Sequence, residues 1–188
     1  DRDITRKALG FAVVHEPVTA VQLSRGKAEA TLVFELCMLM QDLGKLAADL
    51  MLYYTQEFAF VQLPENMTTG SSIMPQKRNP DVLELVRGAT ATLNAALTEI
   101  LGITTKLSSG YQRDLQRIKP PLFRAIDLTG ASTEIMIQLI ANLKFMPENI
   151  KLDPSIYAAE KANKLVVDEG ISFRDAYLRI AADLQRDE

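Results

Sequence analysis

One stretch of the chain gathers most of the side chains able to do chemistry: Gly70-Ser71-Ser72-Ile73-Met74-Pro75-Gln76-Lys77-Arg78-Asn79-Pro80. It sets two adjacent hydroxyls, cations and a carboxamide within a few residues, opened by glycine and interrupted by two prolines. Glycine admits unusual backbone angles, while each proline fixes its own φ and pushes the residue before it away from the helical region. The stretch therefore reads as a shaped loop. Such a loop offers donors and positive charge to an anionic ligand, together with a serine able to serve as nucleophile or base. Handling a carboxylate is the chemistry that uses all of these groups.

The elements on either side must hold that loop. Upstream, Leu32, Leu36, Leu39, Leu43, Leu46 and Leu50 step by four and three, which predicts a long amphipathic helix over 28–58. Val33, Met40, Ala47, Met51 and Tyr54 widen the stripe, as in a helix buried on more than one side. Downstream, Val82, Val86, Ala89, Leu93, Leu97 and Ile100 repeat the pattern, with Asp81 placed to cap the helix or favour its dipole. Ser108-Ser109-Gly110 ends this second helix. A third runs through Leu122, Ile126, Thr129, Thr133, Met136, Ile140 and Leu143, entered at Pro120-Pro121.

Met146-Pro147-Glu148-Asn149 then breaks the chain, and shorter elements follow. Residues 154–169 read as a helix with Asp153 as N-cap and Gly170 as its stop. A last helix begins at Ser172, which with Asp175 resembles a capping box. No repeat and no alternating strand pattern occurs. The predicted fold is all-α: a long-helix bundle over 1–146, incomplete at its N-terminal side, followed by a small helical domain over 147–188. Helices with stripes this wide need further chain or identical subunits to cover them.

Composition narrows the function classes. The chain has 188 residues, 47% of them apolar, enough for a substantial core. A net charge of −3 gives little support for a nucleic-acid or membrane-surface partner. No apolar run approaches the length of a membrane span, and the charged N-terminus has no secretory pattern. The single cysteine, Cys37, has no partner within the chain, which fits a reducing, cytoplasmic setting. His15 lies before Glu16-Pro17 with no metal-ligand spacing partner, and reads as a surface residue. No phosphate-binding glycine loop, paired cysteines or clustered histidines occur, so no metal and no cofactor is expected.

The loop resembles the signature of the fumarase, aspartase and argininosuccinate lyase superfamily, Gly-Ser-Ser-x-Met-Pro-x-Lys-x-Asn, at every defining position. Gln76 before Lys77 is similar to the argininosuccinate lyase branch. A second segment, Tyr111-Gln112-Arg113-Asp114-Leu115-Gln116-Arg117-Ile118-Lys119, is similar to that branch's Tyr-Asn-Arg-Asp-Leu-Gln-x-x-Lys. Helical spacing puts Gln116 and Lys119 on one face. Family character extends over 1–11, 53–63 and 170–177, and so over nearly the whole chain.

The resemblance implies a carbon–nitrogen lyase that cleaves argininosuccinate to arginine and fumarate in arginine synthesis. Ser71 would be the base, Lys77 would stabilise the aci-carboxylate intermediate, and Asn79 would position the carboxylate or lock the loop. Thr68, Thr69 and Ser72 would donate hydrogen bonds to substrate, and Tyr111, Gln116 and Lys119 would bind it. Glycine and proline would let the loop act as a lid. Arg25 lies where relatives carry a Ser-Asp-Arg-Asp segment that bears on the site, although the match is partial. Arg113 and Asp114 could face substrate or form a structural ion pair, and the structural reading is favoured.

Assembly and departures follow from the same likeness. Family members form homotetramers through a central bundle, and each site gathers residues from three subunits. They are much longer than this chain, and their upstream substrate and histidine segments do not occur in it. Arg78 stands where relatives often have lysine, Gln112 replaces asparagine, and Arg117-Ile118 replaces a commonly acidic pair. Two alternatives follow: another fumarate-forming enzyme such as adenylosuccinate lyase, or a non-catalytic helical assembly module derived from the family.

Overall fold

The computed structural model describes residues 1–184, which divide into two compact units, Asp1–Met146 and a second from Pro147 onward. The first is built on three long helices: α3 (Lys27–Tyr54), α4 (Asp81–Thr104) and α5 (Lys119–Asn142), preceded by the short α1 (Arg2–Ala8) and α2 (Val18–Ser24). The all-α expectation holds. Among the described residues, strand is confined to two-residue pieces, with β1 (Val61–Gln62) against β4 (Lys144–Phe145) and β2 (Thr69–Gly70) against β3 (Arg78–Asn79), both antiparallel.

The core runs along the shared faces of the three helices. On α4 it holds Leu83, Val86, Ala89, Leu93, Ala96 and Ile100, close to the expected stripe. On α3 it differs from the leucine pattern. The buried residues are Ala30, Val33, Cys37, Met40, Gly44, Ala47 and Leu50, whereas Leu32, Leu39 and Leu46 are 44%, 43% and 37% exposed. On α5 the strip also lies beside the expected one, with Ala125, Thr129, Ser132, Met136 and Leu139 buried but Ile126 and Ile140 exposed.

Close packing explains the rotation. Small residues line all three facing strips, which lets ridges and grooves interlock at short interaxial distance. At Gly44 an added Cβ would lie 2.8 Å from Thr90 Cγ2, so the α3–α4 crossing has no room for a side chain there. The bulky leucines and isoleucines are displaced to the flanks. They leave an apolar surface uncovered within one copy of the chain.

Helix ends follow local chemistry. Lys119 opens α5 and Pro120-Pro121 occupy its first turn, where the missing N–H groups cost nothing. The α4 helix stops at Thr104, ahead of Ser108-Ser109-Gly110. In the second unit, Asp153 caps a 3₁₀ turn (Pro154–Tyr157) that leads into α6 (Ala158–Glu169). Its side-chain and backbone hydrogen bonds with Ser155 hold the carboxyl below the usual range. Gly170, at φ 67°, stops α6, and Ser172 opens α7 (Phe173–Leu184). The Ser172 hydroxyl accepts from Asp175 N at 3.1 Å and donates to Asp175 Oδ2 at 2.7 Å.

Cys37 is buried in the bundle, and desolvation pushes its thiol up from the ordinary value. His15 is exposed. Among the described residues, no helix is long and apolar enough to cross a membrane.

Candidate active site

The signature loop is the connection of a very small hairpin. Its strands pair Thr69 with Asn79 and Gly70 with Arg78. The same register carried one step further sets Ser71 opposite Lys77. Side chains alternate faces along a strand, and directly opposed residues share a face. Thr69, Asn79, Ser71 and Lys77 thus fall on one side of the ribbon in that register, and Gly70 and Arg78 on the other. The observed pairs end at Gly70 and Arg78, so Ser71 and Lys77 are the residues that directly follow and precede the paired strands.

Hydrogen bonds shape the loop further. The Ser71 hydroxyl oxygen accepts from the backbone N–H groups of Ile73, at 3.2 Å, and Met74, at 3.1 Å. Lys77 N donates to Met74 O at 3.1 Å, closing a turn around Pro75-Gln76. Ser71 and Asn79 are half-buried, whereas Ser72 and Lys77 are exposed. The Thr69 hydroxyl donates to Asp81 Oδ2 at 2.6 Å, so this threonine anchors the base of the loop. Asn79 Nδ2 reaches Gly70 O across the ribbon at 3.5 Å, the outer limit for such a bond.

Tyr111, Gln116 and Lys119 sit elsewhere. After α4 the chain forms a 3₁₀ helix (Arg113–Ile118) whose Leu115 and Ile118 are buried. Positions three apart eclipse one another in a 3₁₀ helix. Leu115 and Ile118 are accordingly buried together, while Gln116, Lys119 at the start of α5, and Tyr111 are exposed. Beside them, a cleft of about 140 Å³ is lined by Arg25 and Lys27 from one side and Ser108 and Gln112 from the other. Among the described residues, no ion pair joins Arg113 to Asp114.

These two groups lie at opposite ends of α4. The signature loop leads into the first turn of α4, and the Tyr111 segment packs beyond its last turn. With 24 residues at 1.5 Å each, α4 is roughly 36 Å long. Within one copy of the chain, Ser71 and Lys77 cannot meet Tyr111, Gln116 and Lys119 on one small substrate.

The sequence model of the lyase family matches residues 3–94. An argininosuccinate lyase of Sorangium cellulosum is 42% identical over 98% of this chain, and one of Xylella fastidiosa is 44% identical over 94%. The chain is homologous to the argininosuccinate lyases. It spans 43% and 40% of the length of those two relatives. Among solved structures, a variant of EDDS lyase with bound fumarate superposes at a TM-score of 0.77 with 25% identity, over 96% of this chain and 36% of its own.

Against this argininosuccinate lyase likeness, the structure brings Thr69, Ser71, Ser72, Lys77 and Asn79 to one end of the bundle. Tyr111, Gln116 and Lys119 lie at the other, beside Arg25. Sequence reasoning missed the supports of the loop. Arg78 Nη2 donates to Glu65 Oε1 at 2.6 Å, and the Tyr54 hydroxyl donates to Arg78 O at 3.4 Å. No sequence signal marked Glu65 or Tyr54 as supports, because strands of two residues are too short to show a register.

Proposed function

We propose that this chain is the central and C-terminal part of an argininosuccinate lyase, which cleaves argininosuccinate to arginine and fumarate. The observation that carries this reading is the antiparallel pairing of Thr69 with Asn79 and Gly70 with Arg78, which closes the loop that bears Ser71 and Lys77. Ser71 would remove a proton from the carbon next to a succinyl carboxylate. The two N–H groups already pointing at its oxygen favour the deprotonated form it needs. Lys77 would meet the negative charge that builds on the carboxylate. The electron pair then expels the nitrogen of the arginine portion, and fumarate is the product.

The site is completed between copies. The loop and the Tyr111 segment lie at opposite ends of α4, a helix roughly 36 Å long, so one substrate would draw Ser71 and Lys77 from one subunit and Tyr111, Gln116 and Lys119 from another. The exposed flanks of the bundle, including Leu32, Leu39, Leu46, Ile126 and Ile140, support assembly as a homotetramer. The lone buried cysteine supports a cytoplasmic setting.

The test joins this chain to the N-terminal part of the Sorangium relative and follows fumarate by absorbance with argininosuccinate. Ser71→Ala is expected to lower the rate at least about 10³-fold, on the order of losing a principal catalytic group. Full activity in that variant would sink the assignment of the base. Turnover of adenylosuccinate in preference to argininosuccinate would move the chain to the neighbouring branch.

A further inference from the structure

A hairpin with two residues per strand has little to hold its register. Isolated two-stranded hairpins are marginal in water even when longer, and a ribbon containing glycine is prone to slip. A slip of one residue would pair Gly70 with Asn79 or with Lys77. Either would turn Ser71 and Lys77 out of opposition. Something outside the ribbon must pin it.

Two short contacts do so from opposite faces. On the face carrying Ser71 and Lys77, the Thr69 hydroxyl donates to Asp81 Oδ2 at 2.6 Å. On the reverse face, Arg78 Nη2 donates to Glu65 Oε1 at 2.6 Å. Each uses a carboxylate as acceptor, which makes it stronger than a neutral hydrogen bond. Their partners lie on separate supports: Asp81 opens α4, and Glu65 opens a 3₁₀ turn (Glu65–Met67) whose Met67 is buried. The other two side-chain contacts to the ribbon, Tyr54 to Arg78 O and Asn79 to Gly70 O, are long at 3.4 and 3.5 Å.

We propose that Glu65, Arg78 and Asp81 are positioning residues that fix the register of the β2–β3 ribbon and so set Ser71 against Lys77. The proposal rests on the reading that these two residues act together on the substrate. The ion pair is solvent-exposed, with side chains 45% and 79% accessible, so it adds little to global stability. Its loss should disturb the loop while leaving the bundle intact.

Amide hydrogen exchange on the chain as it stands tests this directly. In Glu65→Gln and Thr69→Val, exchange at Ile73 and Met74 should rise about threefold to tenfold, as expected for losing one hydrogen bond. The melting temperature should stay within about 2 °C. Exchanging the partners, Glu65→Arg with Arg78→Glu, should restore slow exchange. Unchanged exchange in both single variants, or no recovery in the exchanged pair, overturns the proposal. In the joined enzyme, Glu65→Gln should lower kcat about threefold to tenfold with KM held within about twofold. Fumarate formation with an undiminished kcat in that variant would overturn the positioning role and leave the lyase reading standing. No fumarate from the unsubstituted joined enzyme would sink the lyase reading, and the exchange result alone would then decide the register claim.

Discussion

The two ends of α4 carry equally recognisable segments on opposite kinds of support. At its start, the signature loop is tethered by hydroxyl, carboxylate and guanidinium contacts, and most of its side chains face solvent. Beyond its end, the Tyr111 segment is seated by burying Leu115 and Ile118, each 2% exposed. Polar tethers at a surface exchange with water and hold weakly, whereas buried side chains resist displacement through many contacts. The loop end suits groups that rearrange around a reacting carbon. The far end suits groups that present a fixed surface to a substrate. A site assembled between copies would then combine an adjustable half with a rigid half.

The far end differs from the loop end only if it is core-supported. Leu115→Ala removes most of a fully buried side chain, and should lower unfolding free energy by about 2–4 kcal/mol. Urea unfolding of the bundle measures it. A loss below about 1 kcal/mol would mean that the segment rests on the surface like the loop. Tyr111, Gln116 and Lys119 would then lose their claim to a fixed geometry.

A second substitution probes the same end through the backbone. Gly26 sits at φ 90° just before α3, and a Cβ there would lie 2.3 Å from Thr104 Cγ2 and 3.9 Å from Leu115 Cδ2. Gly26→Ala should therefore cost about 1–3 kcal/mol, combining backbone strain with overpacking. Adding Thr104→Ser removes the clashing methyl and should return the steric share but not the backbone share. Complete recovery in the double variant would show that the glycine is needed for space alone.

These contrasts were unevenly legible in the sequence. The period of three and four placed the long helices, since their interior holds no proline and little glycine to interrupt it. The same period could not say which strip of a wide stripe would be buried. Leu32, Leu39 and Leu46 are more apolar than Ala47 or Gly44, yet the smaller residues sit at the crossing because they let the helices approach. The loop was legible as chemistry from its residue types, but the ribbon beneath it was not. Two residues per strand are too few to show alternation. Glu65 stands out only once the register is known, and Asp81, legible as a helix-start residue, was not legible as the acceptor for Thr69. The distance between the loop and the Tyr111 segment was readable in principle, because a helical pattern of known length fixes its span.

The smallest expected effect is the sharpest check on the loop's character. Ile73 lies at the tip and is 86% exposed, the most exposed of the large apolar side chains. An isoleucine packed into the bundle would cost several kcal/mol on truncation, whereas one facing water contributes almost nothing. Ile73→Ser should therefore change unfolding free energy by no more than about 0.5 kcal/mol. Only its backbone N–H, which donates to Ser71, takes part in the loop's own structure, and serine retains that group. A loss above about 1 kcal/mol, measured by urea unfolding, would mean that the side chain is covered in solution. The loop end would then rest on buried apolar contact as the far end does, and the contrast between them would fail.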